Sequence, residues 1–367
     1  MIRRLYVHNF RCLENFELPI SGLSSALLIG KNGAGKTTVG LALEILQKIG
    51  RGTNRVGELL GRKDQTAWRV PGLPVRFEIE VELEAITYAY SIAFELPVQF
   101  KELRVLSESL AAGGKPIFTR ELAQVNLART GKDKAASFLI DWHLVALPLI
   151  QEQSKQDPLF IFKQWLSRML ILRPIPALMF GESKEEILEP NVQVTNFGAW
   201  FAGVLAHAPS AYTTIDEYLK AVVPDLKDIK NPLVGTETRS LVVQFQDSVK
   251  IPFEDLSDGE KCFMICALVL AAHEAYGPVF CFWDEPDNYL ALSEVGHFVM
   301  ALRKGFLSGG QFIATSHNPE AIRRFSNENT FLISRRNHLE PAVVRPLSDL
   351  QIDGDLIGAI TRGDLEP

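Results

Sequence analysis

The sequence predicts an α/β fold: a mainly parallel sheet core carrying a phosphate-binding loop, an antiparallel β subdomain beside it, and a helical insertion between the two lobes. Three observations predict it. First, Leu27-Leu28-Ile29-Gly30-Lys31-Asn32-Gly33-Ala34-Gly35-Lys36-Thr37-Thr38 runs from an apolar strand straight into G-x-x-x-x-G-K-T, the layout of a P-loop. Second, residues 75–83 alternate apolar and charged side chains, as a half-exposed antiparallel strand does. Third, beyond residue 231 apolar strand patterns alternate with helical ones, which calls for parallel strands with helices packed on them.

The loop sets the chemistry. Glycines at 30, 33 and 35 allow a tight turn with inward-pointing N–H groups, and the helix opening near Lys36 offers its positive end to anionic oxygens. Lys36 is placed to reach the β- and γ-phosphates and Thr37 to ligate Mg²⁺. The whole segment Gly30, Lys31, Asn32, Gly33, Ala34, Gly35, Lys36, Thr37 and Thr38 is therefore the expected nucleotide-binding element.

In chain order, strands are expected over Leu5–Val7, Phe16–Leu18, Ala26–Ile29, Val75–Leu83, Ile86–Phe94 and Glu102–Leu106, which makes residues 1–131 an N-terminal lobe. Residues 132–230 look helical: Ala135–Leu147 up to Pro148, Leu159–Leu170 behind the Asp157-Pro158 start, and a helix capped by Thr213 or Thr214 that stops at Pro224. Residues 231–367 resume the alternation: strand Leu241–Phe245, apolar helix Lys261–Ala275, strand Val279–Trp283, helix Glu294–Lys304 before Gly305, strand Gln311–Ala314, helix Pro319–Phe325 and strand Thr330–Ser334. No repeat or low-complexity tract interrupts the chain.

Composition limits what else the chain does. A hydrophobic content of 47% with 22% charged residues is that of a globular protein, and a net charge of −6 argues against coating nucleic acid by bulk basicity. One basic stretch, Arg51, Arg55, Arg62, Lys63 and Arg69 interleaved with glycines, is open to two readings, a solvated loop or a nucleic-acid contact. Cys12, Cys262, Cys266 and Cys281 form no C-x-x-C pair, a usage that suits a reducing cytoplasm. The longest apolar run, Cys262 to Ala272, is well short of the ~18 residues that suggest a membrane span, so no membrane partner is expected.

A second constellation completes the metal and water chemistry. Val279-Phe280-Cys281-Phe282-Trp283-Asp284-Glu285 is an apolar strand ending in adjacent carboxylates: Asp284 fits a Walker-B metal ligand, and Glu285 a group that orients or deprotonates the attacking water. Leu256-Ser257-Asp258-Gly259-Glu260-Lys261 contains S-x-x-E, a capping box for the helix behind it, and its hydroxyl, glycine and helix terminus also suit an anion.

With these motifs in this order, the chain resembles ABC-type ATPases. The resemblance implies an ABC-type P-loop head that binds ATP and Mg²⁺. In that family the signature, here Ser257 and Gly259, closes over the γ-phosphate bound by a second protomer, and the switch histidine, here His317 in Ala314-Thr315-Ser316-His317-Asn318-Pro319, contacts that phosphate. Catalytic roles fall to Glu285, His317 and Lys36, and metal ligation to Thr37 and Asp284. Within the family the chain looks like the RecF, SMC and OLD group, often labelled AAA-family ATP-binding proteins: Val7-His8-Asn9-Phe10-Arg11-Cys12-Leu13 resembles the group's N-F-R element, whose arginine, here Arg11, approaches the nucleotide. The segment Val192–Val234, with Asn196 and Pro224-Asp225-Leu226, resembles these ATPases too.

The likeness implies a head-to-tail homodimer with two trapped nucleotides, a separately encoded effector in a bacterial anti-phage or toxin-type system, or, in the alternative, a RecF-like role in DNA repair. There are departures. The D-loop Asp284–Ala291 ends in Ala291 where relatives carry Asp or His, and the Q-loop glutamine is left between Gln151, Gln153 and neither. No heptad segment provides long arms. The 50 residues after His317 are too few for a Toprim nuclease of ~100 residues.

Overall fold

The structure, a computed structural model, describes residues 1–61, 64, 72–98, 100–128, 136–350 and 358. Strands β1 (Ile2–His8), β2 (Phe16–Leu18) and β3 (Ser25–Ile29) lead through the phosphate loop into α1 (Lys36–Gly50) and the short α2 (Val56–Leu59). Strands β4 (Val75–Leu83), β5 (Ile86–Glu95), β6 (Arg104–Ala112), β7 (Lys115–Glu121), β8 (Gln124–Leu127) and β9 (Ala136–Leu139) precede α3 (Pro158–Ser167). Next come β10 (Leu170–Leu172), β11 (Glu182–Ser183), α4 (Phe197–His207), α5 (Ala211–Val222), β12 (Leu226–Lys230), β13 (Leu233–Val234), β14 (Thr238–Ser240), β15 (Val242–Phe245) and β16 (Lys250–Pro252). The remainder is α6 (Asp258–Tyr276), β17 (Phe280–Trp283), α7 (Leu292–Gly305), β18 (Gln311–Thr315), α8 (Pro319–Arg323), β19 (Thr330–Ser334) and β20 (Val343–Pro346).

Internal contacts divide the chain into two units: residues 1–23, 28–169 and 327–367, and residues 24–27 and 170–326. The first contains an eight-stranded antiparallel sheet in the order β2-β1-β4-β5-β6-β7-β8-β9. Its patterning is that of β4, where Val75, Phe77, Ile79 and Val81 are fully buried and the arginine and glutamates between them are not. This unit also holds the end of β3, with β19 next to it and β20 beyond β19. In the second unit β10, β17 and β18 run parallel, with Leu172 opposite Trp283 and Trp283 opposite Ala314, and the Phe312 N–H donates to Ser24 O at the start of β3. β17 and β18 are buried throughout, as parallel strands covered on both faces must be.

Helix α6 explains itself. Ser257 accepts from Glu260 N while Glu260 reaches back to Ser257 N, so both halves of the capping box form, and the buried side from Lys261 to Ala272 is nearly continuous. At α3, Asp157 accepts from Leu159 N ahead of Pro158, as expected. All four cysteines are buried and free.

Three expectations fail. Residues 136–147 are not a helix: β9 occupies the start, and the groups a helix would pair internally are taken by distant partners. Glu108 accepts from Ala146 N and Leu147 N (2.7 and 2.8 Å), Arg120 donates to Asp141 O (3.0 Å) and to Leu144 O, Val56 N donates to His143 O, and Val145 N to Asn54 O. Second, α5 starts at Ala211, led in by Pro209-Ser210; Thr213 and Thr214 lie inside it, and the Thr214 hydroxyl donates to Glu274 (2.5 Å). Third, α3 ends at Ser167 because Leu170 already belongs to a strand paired with β17. The stretch 136–230 therefore mixes helices with β9 to β12.

Candidate functional site

In the first unit the phosphate loop lies between β3 and α1. Gly30 has φ 144°, and a Cβ there would stand 2.0 Å from the Ile333 carbonyl oxygen of β19, so only glycine lets the loop leave the strand at this point. Gly35, at φ 119°, would press a Cβ within 2.9 Å of the Cys12 sulfur. Lys36 is buried and its ammonium donates to the loop's own carbonyls, Gly30 O (2.8 Å) and Lys31 O (3.3 Å), curled across the hollow that a phosphate would enter. Thr37 is exposed in the first turn of α1, and Thr38 accepts from the Cys12 thiol (3.6 Å).

A cavity of about 430 Å³ adjoins the loop, lined by Lys31, Asn32, Gly33 and Ala34 on one side and by residues 332–338 on the other. Arg335, which the sequence reading did not single out, braces this wall: its guanidinium donates to Gly33 O (3.3 Å), Asn337 O (3.0 Å) and His338 O. Arg11 has φ 51° and its side chain is paired with Asp64 (2.7 Å). From the basic stretch, Arg51 donates to Ser167 O (3.0 Å) and Met169 O (3.4 Å), which fastens α1 to the end of α3. Arg55 lines a second cavity of about 600 Å³ with Lys101, Asp141 and His143. Arg62, Lys63 and Arg69 lie outside the described residues. Gln151 and Gln153 are exposed ahead of α3, the latter donating its N–H to Asp157 (2.9 Å).

In the second unit the acidic residues sit where β17 ends. Asp284 continues the strand by donating its N–H to Leu172 O (2.8 Å), and its carboxylate accepts from the buried Thr315 hydroxyl (2.6 Å). Glu285 turns sharply, φ 52°, with its N–H donated to the same hydroxyl (2.9 Å), and its carboxylate accepts from Asn288 Nδ2 (2.5 Å). His317 brings Nε2 to 3.5 Å from Glu285 Oε1. Ser316 donates to Asp287 (2.8 Å), whose carboxyl burial pushes above the usual carboxylate range, against the pull of that hydrogen bond. Thus the Thr315 hydroxyl joins Asp284 to Glu285, His317 stands beside Glu285, and Ser316 holds the neighbouring Asp287; neither hydroxyl residue stands out in the sequence. Ser257 is exposed at the start of α6, its hydroxyl donated to Glu260 (2.7 Å), and Gly259 is close enough to the Tyr289 carbonyl that a Cβ would sit 3.1 Å away. Among the described residues no group of three or more His, Cys, Asp or Glu side chains is placed to hold a metal ion, and no helix is long and apolar enough to cross a membrane.

The sequence model of the family described as "AAA domain, putative AbiEii toxin, Type IV TA system" matches residues 25–323. The OLD nuclease of Thermus scotoductus is 48% identical over 46 residues, a stretch that is 12% of this chain and 8% of that protein's length. Among solved structures, an SMC head bound to the C-terminal winged-helix domain of ScpA superposes with a TM-score of 0.61 at 13% identity, over 95% of this chain and 99% of that one. An SMC head with an extended coiled coil, bound to the C-terminal domain of ScpA from Pyrococcus furiosus, gives 0.54 at 12% identity over 95% and 97%. These structural likenesses are ones of fold: a P-loop head with parallel and antiparallel sheets. The chain belongs to the AAA-domain family named above, and its fold is that of a P-loop ATPase head.

Proposed function

We propose that this AAA-domain protein binds and hydrolyses Mg-ATP and works as a dimerising switch. The observation that carries the reading is the grouping of Asp284, Glu285 and His317 at the ends of the neighbouring strands β17 and β18, in a chain that also holds a complete phosphate loop. Hard-oxygen donors suit Mg²⁺: the Asp284 carboxylate, fixed through one oxygen by Thr315, and the exposed Thr37 hydroxyl. When bound, the metal would neutralise charge on the transferring phosphoryl group. The loop backbone and Lys36 hold the phosphates, Lys36 exchanging its two carbonyl partners for phosphate oxygens. Glu285 accepts a proton from water or orients it, and His317, within reach of Glu285, contacts the terminal phosphate. Arg11 reaches the nucleotide only by giving up Asp64.

Dimerisation is supported by the exposed Ser257 at the capped start of α6 and by Gly259 behind it. Facing a second protomer's nucleotide, Ser257 would trade its bond to Glu260 for one to phosphate. The family's description, which names a putative toxin of a Type IV TA system, supports a place in a toxin-type system; in this reading ATP-driven closure in the bacterial cytoplasm gates a separate effector of a toxin-type or anti-phage system. The test is Glu285→Gln: steady-state phosphate release should fall by about 10²–10⁴-fold, the range for loss of a general base, while ATP is retained and dimer accumulates. Normal turnover would sink the assignment. ATPase activity stimulated by DNA and suppressed by salt would instead favour a repair role.

A further inference from the structure

The acids of the second unit are both held by one side chain. Thr315, the last residue of β18, is fully buried; its hydroxyl donates to Asp284 Oδ1 (2.6 Å) and accepts from Glu285 N (2.9 Å). A buried threonine at a strand end would be satisfied by any nearby carbonyl, yet here donor and acceptor alike serve adjacent carboxylate residues. Glu285 has φ 52°, a left-handed conformation that costs free energy for a residue with a Cβ and persists only where its surroundings hold it. Its N–H is held by Thr315, and its carboxylate faces Asn288 at 2.5 Å and His317 at 3.5 Å. Ser316 repeats the arrangement at the other end of the turn, donating to Asp287 (2.8 Å) and accepting from Asn318 N (2.9 Å).

From these contacts we infer that Thr315 is a positioning residue for ATP hydrolysis: its hydroxyl orients the Asp284 carboxylate for the metal and keeps Glu285 in the turn that aims its carboxylate. Thr315 itself touches neither substrate nor metal. The inference rests on the hydrolytic reading of Asp284 and Glu285. An apolar isostere at 315 leaves a carboxylate oxygen and an N–H without their partner, whereas serine preserves both bonds.

The experiment compares Thr315→Val and Thr315→Ser in the full chain, alongside Asp284→Asn and Glu285→Gln. Thr315→Val should lower kcat by about 10–100-fold and raise the Mg²⁺ concentration for half-maximal rate, as loss of a group that orients a metal ligand does. Binding of a fluorescent ATP analogue in the absence of Mg²⁺, a readout of the intact phosphate loop, should stay within about twofold, and Thr315→Ser should recover most of the rate. Wild-type kcat and Mg²⁺ requirement in Thr315→Val overturn the inference, as does a Thr315→Ser variant as impaired as the valine. If Asp284→Asn and Glu285→Gln still turn over, the hydrolytic reading fails and this role with it. If both are dead while Thr315→Val is normal, the positioning role alone fails.

Discussion

The phosphate loop of the first unit and the acidic cluster of the second are built by different means. The loop is shaped by backbone: glycines at φ 144°, 80° and 119° set its path, and the Lys36 ammonium donates to main-chain carbonyls. The cluster is shaped by side chains, with Thr315, Ser316 and Asn288 holding Asp284, Asp287 and Glu285. Backbone-built sites tolerate almost no change at their glycines and much at the residues between them. Side-chain-built sites lose function stepwise as each hydrogen bond is removed, with little effect on the fold.

The largest expected effect that sharpens this contrast is Lys36→Ala, which should abolish ATP binding with little change in the urea midpoint, because the ammonium's bonds to Gly30 O and Lys31 O lie within the loop itself. A shifted midpoint would show that Lys36 is structural. Arg120→Met comes next. It strips the buried Glu108 of its ion-pair partner and frees the Asp141 and Leu144 carbonyls, a loss on the order of 3–5 kcal/mol in chemical unfolding. Burial already pushes the Glu108 carboxyl upward, against the hydrogen bonds from Ala146 and Leu147, and losing Arg120 removes a further group that pulls it down; a stability equal to the parent would contradict the ion pair's role.

Gly30→Ala should cost about 1–3 kcal/mol from φ alone, with the Ile333 carbonyl adding to it, and should cost ATP binding as well. An unaffected variant would mean that the loop leaves β3 by another path. The smallest effect tests the second unit's core. Burial holds His273 below its ordinary pKa of 6.5, so the unfolded chain takes up the proton first as pH falls. Stability from this group is complete above that value and is lost as pH drops toward the lower folded value. Urea midpoints should therefore decline between about pH 7 and pH 5, and less so in His273→Gln. Equal declines would remove His273 from the account.

The same contrast explains what was legible in the sequence. The phosphate loop and the capping box of α6 are local: glycine spacing and S-x-x-E specify their own geometry within a few residues. The chain around 141–147 could not be read, because its conformation is decided by Glu108 and Arg120, up to 39 residues away. Asp284, Glu285 and His317 were readable from their order. Thr315 was not, since a threonine closing a buried strand is ordinary until the turn across from it is known.

In the proposed dimer each ATP site is composite, formed by the phosphate loop of one protomer and the Ser257 face of another. Mixing Lys36→Ala with Ser257→Arg, each inactive alone, tests it most directly. In a head-to-tail dimer, half of the randomly mixed pairs regain one intact site, so phosphate release should return to about a quarter of the wild-type rate. A mixture that stays as inactive as its components, with heterodimers demonstrably formed, would contradict the account.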